Sequence, residues 1–189
     1  MNTHSDSGLH QHGIGIYLKP EVISMLFLGF SAGLPFPLVF ATLTAWLASV
    51  EIGITEISMF AWVGGVYAIK FMWAPIVDKL SLPFLSRSLG RRRAWMLCTQ
   101  FAVLLGLLAI SAINPLENLS LFAVLSVFIA FASATQDIAI DAYRIEIINN
   151  RFQGAMAAAY QLGYRLAVLI AGGGTLYIAA FNTWNFAYK

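Results

Sequence analysis

The chain has 189 residues, 59% of them hydrophobic and only 11% charged, where soluble globular domains run at roughly 45–50% and about 25%. This composition excludes an ordinary soluble domain, whose core could not hide the surplus, and a disordered chain, which needs low hydrophobicity and high net charge. One cysteine, Cys98, excludes a disulfide-stapled module, and a net charge of +2 with no basic patch interleaved with aromatics excludes nucleic-acid binding.

What remains is an integral membrane protein. Residues 1–20 are polar and contain all three histidines, His4, His10 and His12. They lack the basic start, short apolar run and small-residue cleavage site of a signal peptide. His10 and His12 have no further ligand at fixed spacing, so the segment reads as a cytoplasmic tail and no metal is expected.

Five apolar stretches follow, at about 22–48, 57–77, 95–113, 119–140 and 155–180. Each is long enough to cross a hydrocarbon layer about 30 Å thick. They are continuous rather than alternating, which argues against barrel strands. The expected fold is all-α, a polytopic bundle over 21–181. The first stretch holds Gly29, Gly33, Pro35 and Pro37, so it should kink or locally unwind, and irregular backbone at membrane depth is tolerated where it is buried or lines a cavity. Gly172-Gly173-Gly174 permits close approach or bending in the last. The five tryptophans fall near span ends, as an aromatic belt would place them.

Eight of the eleven Lys and Arg residues fall on one side: Lys19, Lys79, Arg87, Arg91, Arg92, Arg93, Arg144 and Arg151. That side is cytoplasmic by the distribution of basic loops, and it includes the N-terminus. An odd number of spans leaves residues 182–189 as a periplasmic tail. No second copy of the pattern follows, so the chain is expected to be a piece of a longer polytopic protein.

Ionisable groups inside spans cost about 2.5–3.5 kcal/mol each on insertion scales and call for a function. Lys70 lies in the cytoplasmic half of the second span; it either snorkels to the headgroups or serves a cavity. Arg165, about ten residues into the fifth span, is expected to face a cavity with Gln161 and Tyr164, beside Tyr160 one turn back. Asp137 closes the fourth span and should pair with Lys70 or Arg165, as a static partner or as a proton-coupling group. Asp141, one turn on, is a weaker candidate for coupling and a stronger one for an interfacial pair with Arg144. Between the second and third spans, Asp78 and Gly90-Arg91-Arg92-Arg93 form a charge pattern suited to a latch between helices.

These residues resemble the cytoplasmic signature of the major facilitator superfamily. Ala74-Pro75 replaces the usual leading glycine region, and Leu80–Leu89 stretches the Asp-to-Gly spacing. Both departures occur in the AmpG-type muropeptide permeases, related to the acetyl-CoA transporter family. The chain resembles that subgroup in Leu28-Gly-Phe-Ser-Ala-Gly-Leu-Pro35, Lys70-Phe-Met-Trp-Ala-Pro-Ile-Val-Asp78, Gly90-Arg-Arg-Arg-Ala-Trp95 and Thr135-Gln-Asp-Ile-Ala-Ile-Asp-Ala-Tyr-Arg144. The resemblance covers about 17–181. It implies five helices of an N-terminal six-helix half, with the remaining half of the transporter as partner. It also implies import of anhydromuropeptides (GlcNAc-anhydroMurNAc and its peptides) across the bacterial inner membrane, driven by protons. No enzyme activity, catalytic residue or cofactor is implied. The alternatives are a related carrier of another amphipathic anion, such as acetyl-CoA, and a membrane scaffold that transports nothing.

Overall fold

The computed structural model describes residues 14–147 and 152–189. His4, His10, His12 and Arg151 lie outside them. Among the described residues every regular element is helical. The protein is an all-α, multi-pass membrane protein, with four helical stretches long and apolar enough to cross a bilayer: Pro20–Ser49, Arg91–Ser111, Leu119–Ile147 and Gln153–Phe181.

The first of these is three helices in sequence: α1 (Pro20–Gly33), α2 (Pro35–Val39) and α3 (Ala41–Ser49). Pro35 sits in the first turn of α2, where its missing N–H leaves no bond unmade. The interruption falls at Phe40, whose φ/ψ of −118°/−90° leave the helical region. Side chains serve the carbonyls there: Thr42 Oγ1 donates to the Pro37 carbonyl at 2.9 Å, and the Tyr188 hydroxyl donates to that of Leu38 at 2.6 Å.

Where one continuous span was expected over 57–77, the chain forms short pieces: α4 (Ile54–Met59), α5 (Trp62–Ala68), a 3-10 turn (Lys70–Met72) and α6 (Ala74–Lys79). Two poor helix formers, Gly64 and Gly65, lie in α5. Pro75, which has no N–H to carry a helix through, lies in the first turn of α6. The short α7 (Leu85–Leu89) then leads to α8 (Arg91–Ser111), α9 (Leu119–Ile147), α10 (Gln153–Phe181) and α11 (Trp184–Tyr188).

Helices α1 and α10 meet backbone to backbone. A methyl group on Gly29 would strike the Tyr160 carbonyl, one on Gly33 the Tyr164 carbonyl, and one on Gly163 the Leu26 carbonyl. Small residues thus set this crossing. The Gly172–Gly174 run behaves differently: α10 continues through it unbroken, and only Gly172 lies against a neighbour, Pro37.

Two apolar cores stack along the bundle. One gathers Leu43, Trp46, Phe60, Ile110 and Phe122; the other gathers Val22, Met25, Ile140 and Met156 at the basic end. Residues 182–189, expected to trail as a tail, fold onto the first core. Thr183 caps α11 by accepting from the Phe186 N–H, Asn185 Nδ2 donates to the Ser111 carbonyl at 2.9 Å, and Trp184 stacks on Trp46 at 6.1 Å. Tyr188 is buried, and that burial pushes its hydroxyl pKa up, keeping it a donor.

Candidate functional site

The polar layer between the two cores is organised around Asp137. Ten residues before the end of α9, it lies about 15 Å along the helix from that end at 1.5 Å per residue. Lys70 Nζ stands 3.6 Å from Asp137 Oδ2. Lys70 occupies the 3-10 turn between α5 and α6, and this turn packs against α9. The pair is unevenly covered: the Lys70 side chain is 37% exposed and that of Asp137 16%. The Lys70 side chain is therefore partly open while that of Asp137 is largely enclosed. Asp137 Oδ1 is buried and has no hydrogen-bond partner among the described residues.

Three phenols lie within electrostatic reach of the carboxylate: Tyr67 from α5, and Tyr160 and Tyr164 from α10. The Tyr67 hydroxyl is buried beside Ser133. Trp73 Nε1 donates to Thr135 Oγ1 at 3.0 Å and its ring lies over Phe131, which fixes the segment after Lys70 on α9.

Arg165 and Gln161 lie elsewhere. Both are exposed on α10, and among the described residues Arg165 makes no ion pair. At about 100° per residue the exposed side of α10 divides into two faces. Leu162, Leu166 and Leu169 form an apolar stripe, while Gln161 and Arg165 continue the polar face that begins at Tyr160 and Tyr164. Of the two partners expected for Asp137, the structure brings up Lys70. Asp141, further toward the basic end and half exposed, pairs with Arg144 at 3.6 Å within its own helix.

At the basic end, Arg92 joins three helices. Its guanidinium lies 2.7 Å from Asp78 of α6 and 2.8 Å from Glu146 of α9, and its side chain is only 12% exposed. Three arginines at a helix N-terminus oppose the helix dipole; the two carboxylates offset this at Arg92. Gly90 holds φ +81°, a conformation that favours glycine, at the entry to α8. Arg93 donates to the Tyr143 hydroxyl at 3.4 Å, and Arg91 is exposed.

Sequence reasoning did not single out Glu146. Its signal was an acidic residue at the end of the fourth apolar stretch, on the side that carries the arginine run. It also missed a part-buried cluster in which Gln100 and Gln136 both donate to Ser31 Oγ, at 2.8 and 3.1 Å, tying α8 and α9 to α1. Gln136 is 1% exposed. Among the described residues no group of three or more His, Cys, Asp or Glu could hold a metal ion.

Fold and site together define a multi-pass helical membrane protein with an acid–base pair held between the Lys70 turn and α9, beside an exposed polar helix face. Residues 22–115 match the family model described as acetyl-coenzyme A transporter 1. The chain is 40% identical over 164 residues to the anhydromuropeptide permease of Escherichia coli K12, covering 87% of this chain and 33% of that protein. It is 35% identical over 175 residues to the putative transporter AmpG 4 of Rickettsia conorii, covering 92% and 42%. A further relative, putative transporter AmpG 1 of Rickettsia bellii, is 36% identical over 148 residues, covering 78% and 36%. Over most of its residues the chain is similar to these permease and AmpG relatives, as the motifs around Asp78, Arg92 and Asp137 indicated. It spans between 33% and 42% of the length of these three relatives.

Proposed function

We propose that this chain forms part of a proton-coupled secondary transporter that imports anhydromuropeptides from periplasm to cytoplasm across the bacterial inner membrane, in cell-wall recycling. The observation that carries the reading is the Lys70–Asp137 pair, an ionisable couple on a helix long and apolar enough to cross a bilayer, with the Lys70 side chain left partly exposed. Burial and a nearby cation act in opposite senses on a carboxyl group, so proton affinity follows the distance between the two side chains. Movement of the Lys70 turn relative to α9 would load and release a proton at Asp137. The exposed face carrying Gln161, Tyr164 and Arg165 supplies donors for amides, hydroxyls and the lactyl carboxylate of the cargo. A second set of helices, from the remaining half of the transporter, supplies the opposite wall.

The basic end, with Lys79, Arg92 and Arg144, faces the cytoplasm on this reading, in line with the distribution of basic residues in membrane proteins. The cargo crosses unchanged, so the residues named bind, orient and move charge. The match to an acetyl-coenzyme A transporter model favours a second reading, in which the cargo is another amphipathic anion.

Labelled anhydromuropeptide offered to proteoliposomes holding the complete gene product tests the first reading. Uptake should follow an imposed proton gradient and resist competition by excess acetyl-CoA; competition by acetyl-CoA would favour the second. With Asp137→Asn, uphill accumulation should disappear while exchange between equilibrated compartments persists. Normal accumulation by that variant removes Asp137 from the coupling role.

A further inference from the structure

Four rings, from α2, the break that follows it, α5 and α10, converge near the segment that carries Lys70. Phe36 of α2 lies 4.8 Å from Phe40, 6.1 Å from Tyr67 of α5 and 6.4 Å from Tyr164 of α10, centroid to centroid. Phe40 and Tyr67 are 5.8 Å apart. The neighbours of Phe36 in sequence, Pro35 and Pro37, are both buried, whereas Phe36 is 40% exposed. The two prolines fix the local backbone and leave the Phe36 ring on the open side, backed by rings that hold its tilt.

Polar groups border this surface. Lys70 follows Tyr67 by one turn, and its side chain is partly exposed. Tyr164 carries a hydroxyl within electrostatic reach of Asp137, and its ring leads on to Tyr160 at 6.3 Å. A lipid chain asks for apolar surface alone, which the leucine stripe of α10 already offers. A partly bare ring edged by an ammonium and phenols suits a ligand with both C–H faces and hydroxyl groups. Sugars have that character: the axial C–H groups of a pyranose meet the electron-rich face of an aromatic ring, while its hydroxyls reach outward to donors and acceptors.

We propose that Phe36, with Tyr67 and Tyr164 behind it, is a stacking subsite for a pyranose ring, and that Lys70 and the Tyr164 hydroxyl bind at that sugar's edge. This rests on the transport reading for its cargo, but it assigns the saccharide, rather than the peptide, to this surface.

The test is equilibrium binding of radiolabelled GlcNAc-anhydroMurNAc, without peptide, to the purified complete gene product. Uptake of labelled anhydromuropeptide is measured separately. Phe36→Leu, which removes the ring at a partly exposed position, should weaken disaccharide binding about five- to ten-fold. Phe36→Tyr, which keeps the ring, should bind within two-fold or so of wild type. Binding of the free stem peptide should be unchanged in both variants, which also shows that they are folded. Equal disaccharide affinity in wild type and Phe36→Leu overturns the subsite, as does a wild-type protein that binds the peptide but no disaccharide. A protein that binds disaccharide with this Phe36 dependence, yet takes up no anhydromuropeptide, overturns the transport reading and leaves the subsite standing.

Discussion

The hydroxyl of Tyr188 reaches back 150 residues to donate a hydrogen bond to the carbonyl of Leu38, at the break in the first membrane-spanning stretch. Thr42 Oγ1, which serves the Pro37 carbonyl, lies 3.1 Å from the same hydroxyl. A buried carbonyl left without its donor costs about 1–3 kcal/mol. Tyr188→Phe keeps the ring packed against Trp46 and removes only the donor, so a loss of about 1–2 kcal/mol is expected. Thermal melting of the purified complete gene product reads it; unchanged melting would show that the break needs no such donor.

The Lys70–Asp137 pair predicts an asymmetry between single and double variants. Removing one member of a buried ion pair costs about 3–5 kcal/mol, because the other charge is left unpaired. The open side of Lys70 lowers this to about 2–3 kcal/mol. Lys70→Ala should therefore melt well below wild type, and adding Asp137→Ala should recover part of the loss. A double variant less stable than the single one would contradict the pairing.

Arg92 touches two carboxylates on two different helices, which a compact ammonium cannot reproduce. Arg92→Lys should lower stability, and a double-mutant cycle with Glu146→Gln should show a coupling of at least about 0.5 kcal/mol. The exposure of Glu146 and Asp78 keeps the figure modest and sensitive to salt. Strictly additive effects would argue against the three-helix junction.

Glycines of the same helix pair offer an internal control. Gly29→Ala places a methyl on the Tyr160 carbonyl and should cost about 1–3 kcal/mol, since backbone cannot easily give way. Gly174→Ala meets nothing within 4 Å and should be neutral, or stabilising by up to about 1 kcal/mol through helix propensity. Equal effects at the two sites would refute the close crossing of α1 and α10.

Arg165 keeps its place in the proposed cavity through its face on α10 rather than through any ion pair. Arg165→Lys preserves charge and loses the planar fork. Uptake of anhydromuropeptide by the complete gene product should fall while expression holds; wild-type uptake would remove Arg165 from the cargo site.

How much of this was legible in the amino-acid sequence depends on the range of the cause. Four long apolar helices followed from composition and length, and the irregularity near Pro35 and Pro37 from their missing donors and fixed φ. Gly29 and Gly33 marked the first stretch as irregular, yet nothing local named Gly163 as the residue that meets the same helix from the other side. Lys70 and Asp137 stood out by cost alone, and the choice of Lys70 over Arg165 depended on the angular position of Arg165 on α10, which spacing did not settle. Glu146 escaped notice because an acid at a helix end is ordinary until Arg92 is seen to reach it. The fold of residues 182–189 was hidden for a similar reason: Trp184 and Tyr188 look like interface aromatics until Trp46 and Leu38 come near.

The division of the first stretch at Phe40 has a mechanical consequence. Before it, α1 is welded to α10 by contacts that admit no side chain; after it, α3 is tied through Thr42 and Trp46 to α11. One membrane crossing therefore answers to two different neighbours, one at each end. A rotation at Phe40 would let one end of the bundle shift relative to the other only by giving up the Thr42 and Tyr188 hydrogen bonds that bridge the break. A helix unbroken from Pro20 to Ser49 would transmit every displacement from one face of the membrane to the other.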